Sequence, residues 1–195
     1  MKKSELTRIV AFFRPLGFFG GLGKSDAAVV EHILSVDDPW IDLASWAPES
    51  TDPRGTADLN VLAFDRARVW RLESYEILFD RRAKAEGYAY CSSYADVVGQ
   101  LARIAAHRFR LSATGSKRGQ LDVTCQRTRR RVTFRTDGQV FSPDVLRAVN
   151  EVIAPRDCRF VFVSNRYCTG FVTLLTRDEE ARIVGKRRWQ LDTLE

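Results

Sequence analysis

The amino-acid sequence predicts a single α+β domain in which a mixed or mainly antiparallel sheet is packed by several helices. Three observations carry that expectation. Apolar residues recur at helical spacing in two well-bounded segments, Tyr94 to Arg108 and Ser142 to Ile153. Residues 120–126 and 131–136 alternate apolar and polar side chains, the period of half-buried strands. Residues 159–164 and 170–176 are almost continuously apolar, as strands covered on both faces are. With 195 residues, 45% of them hydrophobic and 29% charged, the chain has the size and composition to build one core without disulfides or a structural metal. Residues 1–58 are separable as an N-terminal lobe packed on a core of 59–195.

Taken in order, residues 4–14 read as a short helix or strand carrying Leu6, Ile9, Val10, Phe12 and Phe13, ended by Pro15 and a flexible loop with Gly17, Gly20, Gly21 and Gly23. Ser25 caps a helix running to about Val36, with Asp26 at its positive end and Val29, Val30, Ile33 and Leu34 on one face. His32 and Glu31 fall off that face. The stretch from Asp37 to Asp58 contains Pro39, Pro48, Pro53 and Gly55 and reads as irregular. Leu59 to Phe64 and Val69 to Leu72 read as strands joined by a turn at residues 65–68, and Tyr75 to Phe79 as a third strand or a helix start, closed by Gly87.

The helix at Tyr94 to Arg108 presents Tyr94, Val97, Val98, Leu101, Ile104 and Ala105 as its buried stripe. The alternating segments 120–126 and 131–136 form a hairpin with an arginine tip, one side on the core and the other basic. After a turn at Asp137-Gly138, Ser142 and Pro143 start a helix whose stripe is Val145, Leu146, Val149, Val152 and Ile153, and Pro155 stops it. Phe160 to Val163 leave no polar face, which suits a central strand. Thr176 and Glu179 have the spacing of a capping box before Ala181 to Val184.

The formal charge is +6, and its distribution is uneven. Residues 117–135 hold seven Lys and Arg against the single Asp122, a net +6. Residues 37–58 hold six carboxylates against Arg54, a net −5, with Trp40 and Trp46 among them. An acidic stretch with tryptophans suits protein recognition, because Trp supplies anchor area and the carboxylates steer a basic partner. Asp37, Asp38, Trp40, Asp42, Trp46 and Glu49 are therefore the candidate partner-binding residues, against the alternative that both tryptophans plug the core. Arg127, Arg129, Arg130, Arg131 and Arg135 are candidates for an anionic ligand. Phe134 points away from them, which weakens any single-strand nucleic-acid reading.

No apolar run reaches the length of a membrane-spanning helix, and the N-terminal apolar stretch is too short for a secretion signal, so a cytoplasmic protein is expected. Cys91, Cys125, Cys158 and Cys168 form no CxxC pair and read as reduced core thiols. With only His32 and His107 besides, no metal-ligand spacing is present, and no cofactor is expected. Gly23-Lys24-Ser25 opens a helix as a phosphate-binding loop does, but the position five before Gly23, where such a loop needs glycine, is Phe18. A connector with a helix cap is the plainer reading. A Cys/His nucleophile pair carries no local pattern, and Asp178, Glu179 and Glu180 fit the first turn of a helix better than paired acid/base catalysis.

The segments Val132-Thr-Phe-Arg-Thr-Asp-Gly138, Ser142-Pro-Asp-Val-Leu-Arg-Ala-Val-Asn-Glu-Val-Ile153, Arg159-Phe-Val-Phe-Val163 and Gly170-Phe-Val-Thr-Leu-Leu-Thr-Arg-Asp-Glu-Glu180 are laid out as strand, helix, strand, strand, helix. That layout, with Asn150 in the helix and a closing Leu-Thr-x-x-Glu, resembles small bacterial immunity proteins that neutralise secreted toxins. The resemblance covers a quarter to a third of the chain. It implies a cytoplasmic binding protein without catalytic residues, whose partner is a cognate protein toxin encoded nearby and whose action is to block the toxin's active site. Inhibitors of nuclease toxins tend to be acidic, so the +6 charge implies either contact through residues 37–58 or a toxin of another kind. The alternatives are a nucleic-acid-binding domain using the arginine hairpin and an enzyme with an unrecognised site around Cys91 or residues 17–25. Oligomeric state is not legible.

Overall fold

The computed structural model describes residues 1–36, 53–72, 91, 93–117, 119–134, 143–164 and 170–191. Among them the chain forms six α-helices and two three-stranded antiparallel sheets, the α+β architecture expected.

The first helix, α1 (Lys3–Phe13), buries Leu6, Ile9, Val10 and Phe13, a stripe of helical period. A 3₁₀ turn at Arg14–Leu16 carries Pro15 and ends at Gly17, whose φ of 82° is open to glycine at little cost. The glycine-containing loop that follows is packed rather than loose: Phe18 and Phe19 have no exposed surface. Helix α2 (Asp26–Ser35) begins as expected, with the Ser25 hydroxyl accepting from the Ala28 amide at 3.2 Å. Val29, Val30 and Ile33 are buried, but Leu34 is exposed, one position around the helix from the stripe.

Residues 53–62 form helix α3 (Pro53–Leu62), where irregular chain and then a strand were expected. Pro53 stands at the first helical position, which its fixed φ favours. Leu59 to Phe64 misled because a short apolar run fits a buried strand and a buried helix equally well. The N-terminal lobe boundary at residue 58 thus falls inside a helix.

After strand β1 (Val69–Leu72) the next element among the described residues is α4 (Tyr94–Ala105), capped by Ser93 accepting from Asp96 N at 3.3 Å and burying the whole predicted stripe. Strands β2 (Leu111–Lys117), β3 (Gln120–Cys125) and β4 (Thr128–Thr133) make one sheet in that order. The first strand of the hairpin is where the alternation put it, but the second begins at Thr128 rather than Arg131, so Arg129 and Arg130 lie on the strand and not in the tip. Strand β2 had no sequence signal: Leu-Ser-Ala-Thr-Gly-Ser-Lys is mostly polar, and its register shifts between Thr114 and Lys117, around Gly115 at φ 71°.

Helix α5 (Pro143–Ile153) runs into a 3₁₀ turn containing Pro155, then β5 (Cys158–Ser164), β6 (Gly170–Thr176) and α6 (Arg177–Arg187) follow. Among the described residues the second sheet has the order β1-β6-β5, which makes β6 the central strand and the apolar β5 an edge. β5 is nevertheless covered on both faces, which is why its sequence reads as central.

This second sheet divides the core. Trp70, Leu72, Phe160, Phe162, Val172 and Leu174 face a cluster built from α4, α5 and the inner side of β2-β3-β4. The alternate residues Val69, Val161, Val163, Phe171 and Leu175 face a second cluster from α1, α2, α3 and α6. Strict alternation on a sheet buried on both sides explains how one septum serves two cores.

Candidate functional site

The arginine hairpin is the most distinctive charged surface. A two-residue turn, Gln126-Arg127, joins β3 to β4, with Gln126 at φ 54°. On β3, Leu121, Val123 and Cys125 point into the core, which leaves Gln120, Asp122 and Thr124 on the outer face. The cross-strand register sets Arg131 opposite Asp122 and Arg129 opposite Thr124 on that same face.

Asp122 Oδ1 accepts from Arg131 Nε at 2.9 Å, and its Oδ2 accepts from Arg131 Nη2 at 3.2 Å and Arg129 Nη2 at 3.0 Å. The two guanidiniums hold the Asp122 carboxyl below its usual range. Both stay open to solvent, at 67% and 71% side-chain exposure, while Asp122 is at 17%. Arg130 lies on the other side of the strand, 4.0 Å from Glu151 of α5. Arg127 is exposed at the turn, and Arg156 reaches the turn to donate to Gln126 Oε1. Asp122 is therefore the counter-charge that orders the arginine tip. Arg135 and the acidic stretch with Asp37, Asp38, Trp40, Asp42, Trp46 and Glu49 lie outside the described residues. Asp58, at the end of that stretch, is fully buried, so its charge does not belong to an exposed acidic surface.

The Gly23-Lys24-Ser25 segment is built for packing. A Cβ on Gly23 would lie 2.9 Å from the Ala28 Cβ and 3.0 Å from the Val29 nitrogen, so glycine is needed where the loop meets α2. Arg14 closes the loop, donating to Asp26 Oδ1 at 3.0 Å, to Gly23 O at 3.3 Å and to Lys24 O. The Ser25 hydroxyl is already used as the cap.

The preceding loop is pinned from below, since Asp65 Oδ2 accepts from the Phe19 amide at 2.6 Å and Arg68 Nη1 donates to Gly17 O at 2.9 Å. Arg68 also lies over the Phe18 ring, 4.6 Å from its centroid. Burial raises the pKa of Asp65, against the pull of the Phe19 amide and Arg68.

Two of the three carboxylates opening α6 have structural duties. Glu179 accepts from the Thr176 amide at 2.8 Å and its own amide donates to Thr176 Oγ1 at 3.1 Å, completing the capping box. It also accepts from Arg108 at 2.5 Å. Glu180 takes a bidentate pair from Arg159 at 2.7 and 2.5 Å. Cys91, Cys125 and Cys158 are free and buried, and desolvation pushes the Cys91 thiol up to about 12 and raises that of Cys158. Thiols in that state are poor nucleophiles. Cys168 is outside the described residues.

Two features escaped the sequence. A groove of about 540 Å³ runs along the start of β5, lined by Asn150, Ala154, Cys158, Arg159, Glu180 and Val184. At its inner end Asn150 behaves as a short strand partner for the β5 edge: Oδ1 accepts from Phe160 N at 2.7 Å and Nδ2 donates to Phe160 O at 2.8 Å. The only signal was a polar residue on the margin of an apolar helix stripe. The second feature is Asp58, which accepts from Arg187 Nε at 2.8 Å, from Arg187 Nη2 and from Trp189 Nε1 at 3.1 Å. Nothing local in sequence couples residues 129 positions apart.

Among the described residues no group of three or more His, Cys, Asp and Glu is placed to hold a metal ion, and no helix is long and apolar enough to cross a membrane. Compared with protein-family models, curated proteins and solved structures, the chain matches none.

Proposed function

We propose that this chain is a cytoplasmic binding protein that neutralises a cognate bacterial toxin by covering its active site. The observation that supports this reading is the succession β4, α5, β5, β6, α6, the strand-helix-strand-strand-helix layout on which the resemblance to immunity proteins rests. Asn150 and the Thr176–Glu179 box, the two local features of that resemblance, have defined structural roles in it. The candidate catalytic groups fit a binding protein too: Glu179 and Glu180 are committed to ion pairs, and Cys91, Cys125 and Cys158 are buried thiols.

The test is co-expression with the toxic domain of the polymorphic toxin encoded beside this gene. The chain restores growth and co-purifies with that domain in a tight complex. A neighbouring locus with no toxin gene, or a toxic domain that forms no complex, ends the proposal.

The exposed guanidiniums of Arg129, Arg130 and Arg131 support a second reading, nucleic-acid binding. It requires affinity that falls steeply with salt as counterions are released, and that drops when all three are replaced by Ala. Affinity unchanged by that triple replacement removes it.

A further inference from the structure

Strand β4 is the edge of its sheet, paired with β3 alone among the described residues. The two-residue turn makes Cys125 and Thr128 the closing hydrogen-bonded pair, and antiparallel geometry then alternates along the strand. Arg130 and Val132 turn their amides toward β3, and Arg129, Arg131 and Thr133 turn theirs away. Two flanking bonds fit this phase: Phe134 N donates to Gly119 O at 3.0 Å on the β3 side, and Gln126 N donates to Arg110 O at 3.0 Å toward β2. The residues whose backbone faces the open edge are thus the ones whose side chains carry the Asp122-held arginines. Arg130, on the opposite face and 57% exposed, brackets the edge from the other side.

An open edge recruits whatever strand fits it, and the side chains beside it select the strand. A second copy of this chain does not fit. Antiparallel self-pairing along β4 would set Arg129, Arg130 and Arg131 of two copies into one block of like charge, which is destabilising across strands. A nucleic-acid strand fits poorly as well. Among the described residues the outer face is made of Ser112, Thr114, Gln120, Asp122, Thr124, Arg129, Arg131 and Thr133, with no aromatic ring for a base to stack on, and a carboxylate stands at its centre. A discrete carboxylate side chain can meet each guanidinium from its solvent side, because Arg129 engages Asp122 through one terminal nitrogen and Arg131 through Nε and one terminal nitrogen. Asp122 holds both in place beforehand, which lowers the ordering cost of recognition.

We propose that the open edge of β4 docks an extended acidic segment of a protein partner, by strand addition with carboxylates opposite Arg129 and Arg131. This concerns the surface and the chemistry of its occupant, and it stands whether that partner is a toxin or another protein.

The experiment uses the full ¹⁵N-labelled chain and three probes: an end-blocked hexapeptide alternating threonine and glutamate, the same peptide N-methylated at alternate residues, and an oligothymidylate of equal charge. The unmodified hexapeptide shifts the backbone amides of Arg129, Arg131 and Thr133 and slows their hydrogen exchange. Its dissociation constant rises roughly tenfold in Arg129→Thr/Arg131→Thr, the loss of two cross-strand charge pairs. Unfolding of that variant is compared with the parent to show that the sheet persists, and the exchange measurement on the parent needs no variant. The proposal is overturned if the three amides do not respond, if the N-methylated peptide binds as tightly, or if the oligothymidylate binds more tightly than the peptide.

Discussion

Replacing Asp58 by alanine removes a carboxylate that ties α3 to the end of α6. Asp58 has no exposed surface, and its partners include Arg187, which donates twice, and the Trp189 indole. Breaking a buried pair by deleting one partner costs about 3–5 kcal/mol, because the other charge is left without compensation. Arg187 keeps 19% of its side-chain surface in water, which lowers the figure, whereas the indole N–H of Trp189, a residue 4% exposed, becomes a buried donor without an acceptor and adds about 1–3 kcal/mol. The terms overlap, and a net loss of about 3–4 kcal/mol is expected. For a chain of this size that is a fall in Tm of roughly 10 °C.

Urea and thermal unfolding of Asp58→Ala, Arg187→Met and the double variant measure it. The double variant should be more stable than Asp58→Ala alone, since removing both partners leaves no unpaired charge. A loss below about 1 kcal/mol in Asp58→Ala, or a double variant no better than that single one, would refute the reasoning that this pair is buried and interdependent.

Three further outcomes are expected. Asn150→Ala strips both hydrogen bonds from Phe160 and should cost about 2 kcal/mol, since the groove admits water to the freed groups; Asn150→Asp sets a carboxylate against Phe160 O and should regain stability as pH is lowered, seen in unfolding curves at pH 4 and 7. His107 has Nδ1 2.8 Å from Ile104 O and accepts at Nε2 from Arg108 Nε at 3.1 Å, and partial burial, then the nearby Arg68, lowers its pKa below the ordinary 6.5. The unfolded chain therefore binds this proton more readily, stability declines as pH falls below 6.5, and His107→Gln flattens that limb; a steeper limb in the variant contradicts the assignment. Cys91, with its thiol pushed up to about 12, should resist alkylation at pH 8 until the chain is unfolded, and rapid native-state labelling located by mass spectrometry would show otherwise.

The elements that could be read from sequence are those whose own period matched their burial. Helices α4 and α5 carry their core residues as one stripe, and β3 alternates cleanly because only one of its faces is covered. The caps of α2 and α6 were legible because each is closed by a hydroxyl that accepts from a backbone amide three residues on. Residues 59–64 were misread because a short apolar run does not report its own period, and β2 was missed because a bulged edge strand needs few apolar residues. Of the candidate site, the arginine alternation was visible. The Asp122 clamp that orders it was not, since it depends on the register across the hairpin.

By itself the sequence determined the class of fold, the helix stripes and caps, the hairpin and the concentration of positive charge on it, because all of these arise from residues within a few positions of one another. Tertiary structure alone decided that the apolar β5 is an edge closed by Asn150, that Asp58 is a buried anchor for the C-terminal helix, and that one sheet divides two cores. Each of those depends on contacts between residues distant in the chain, and such pairings leave no periodic trace in the segments they join.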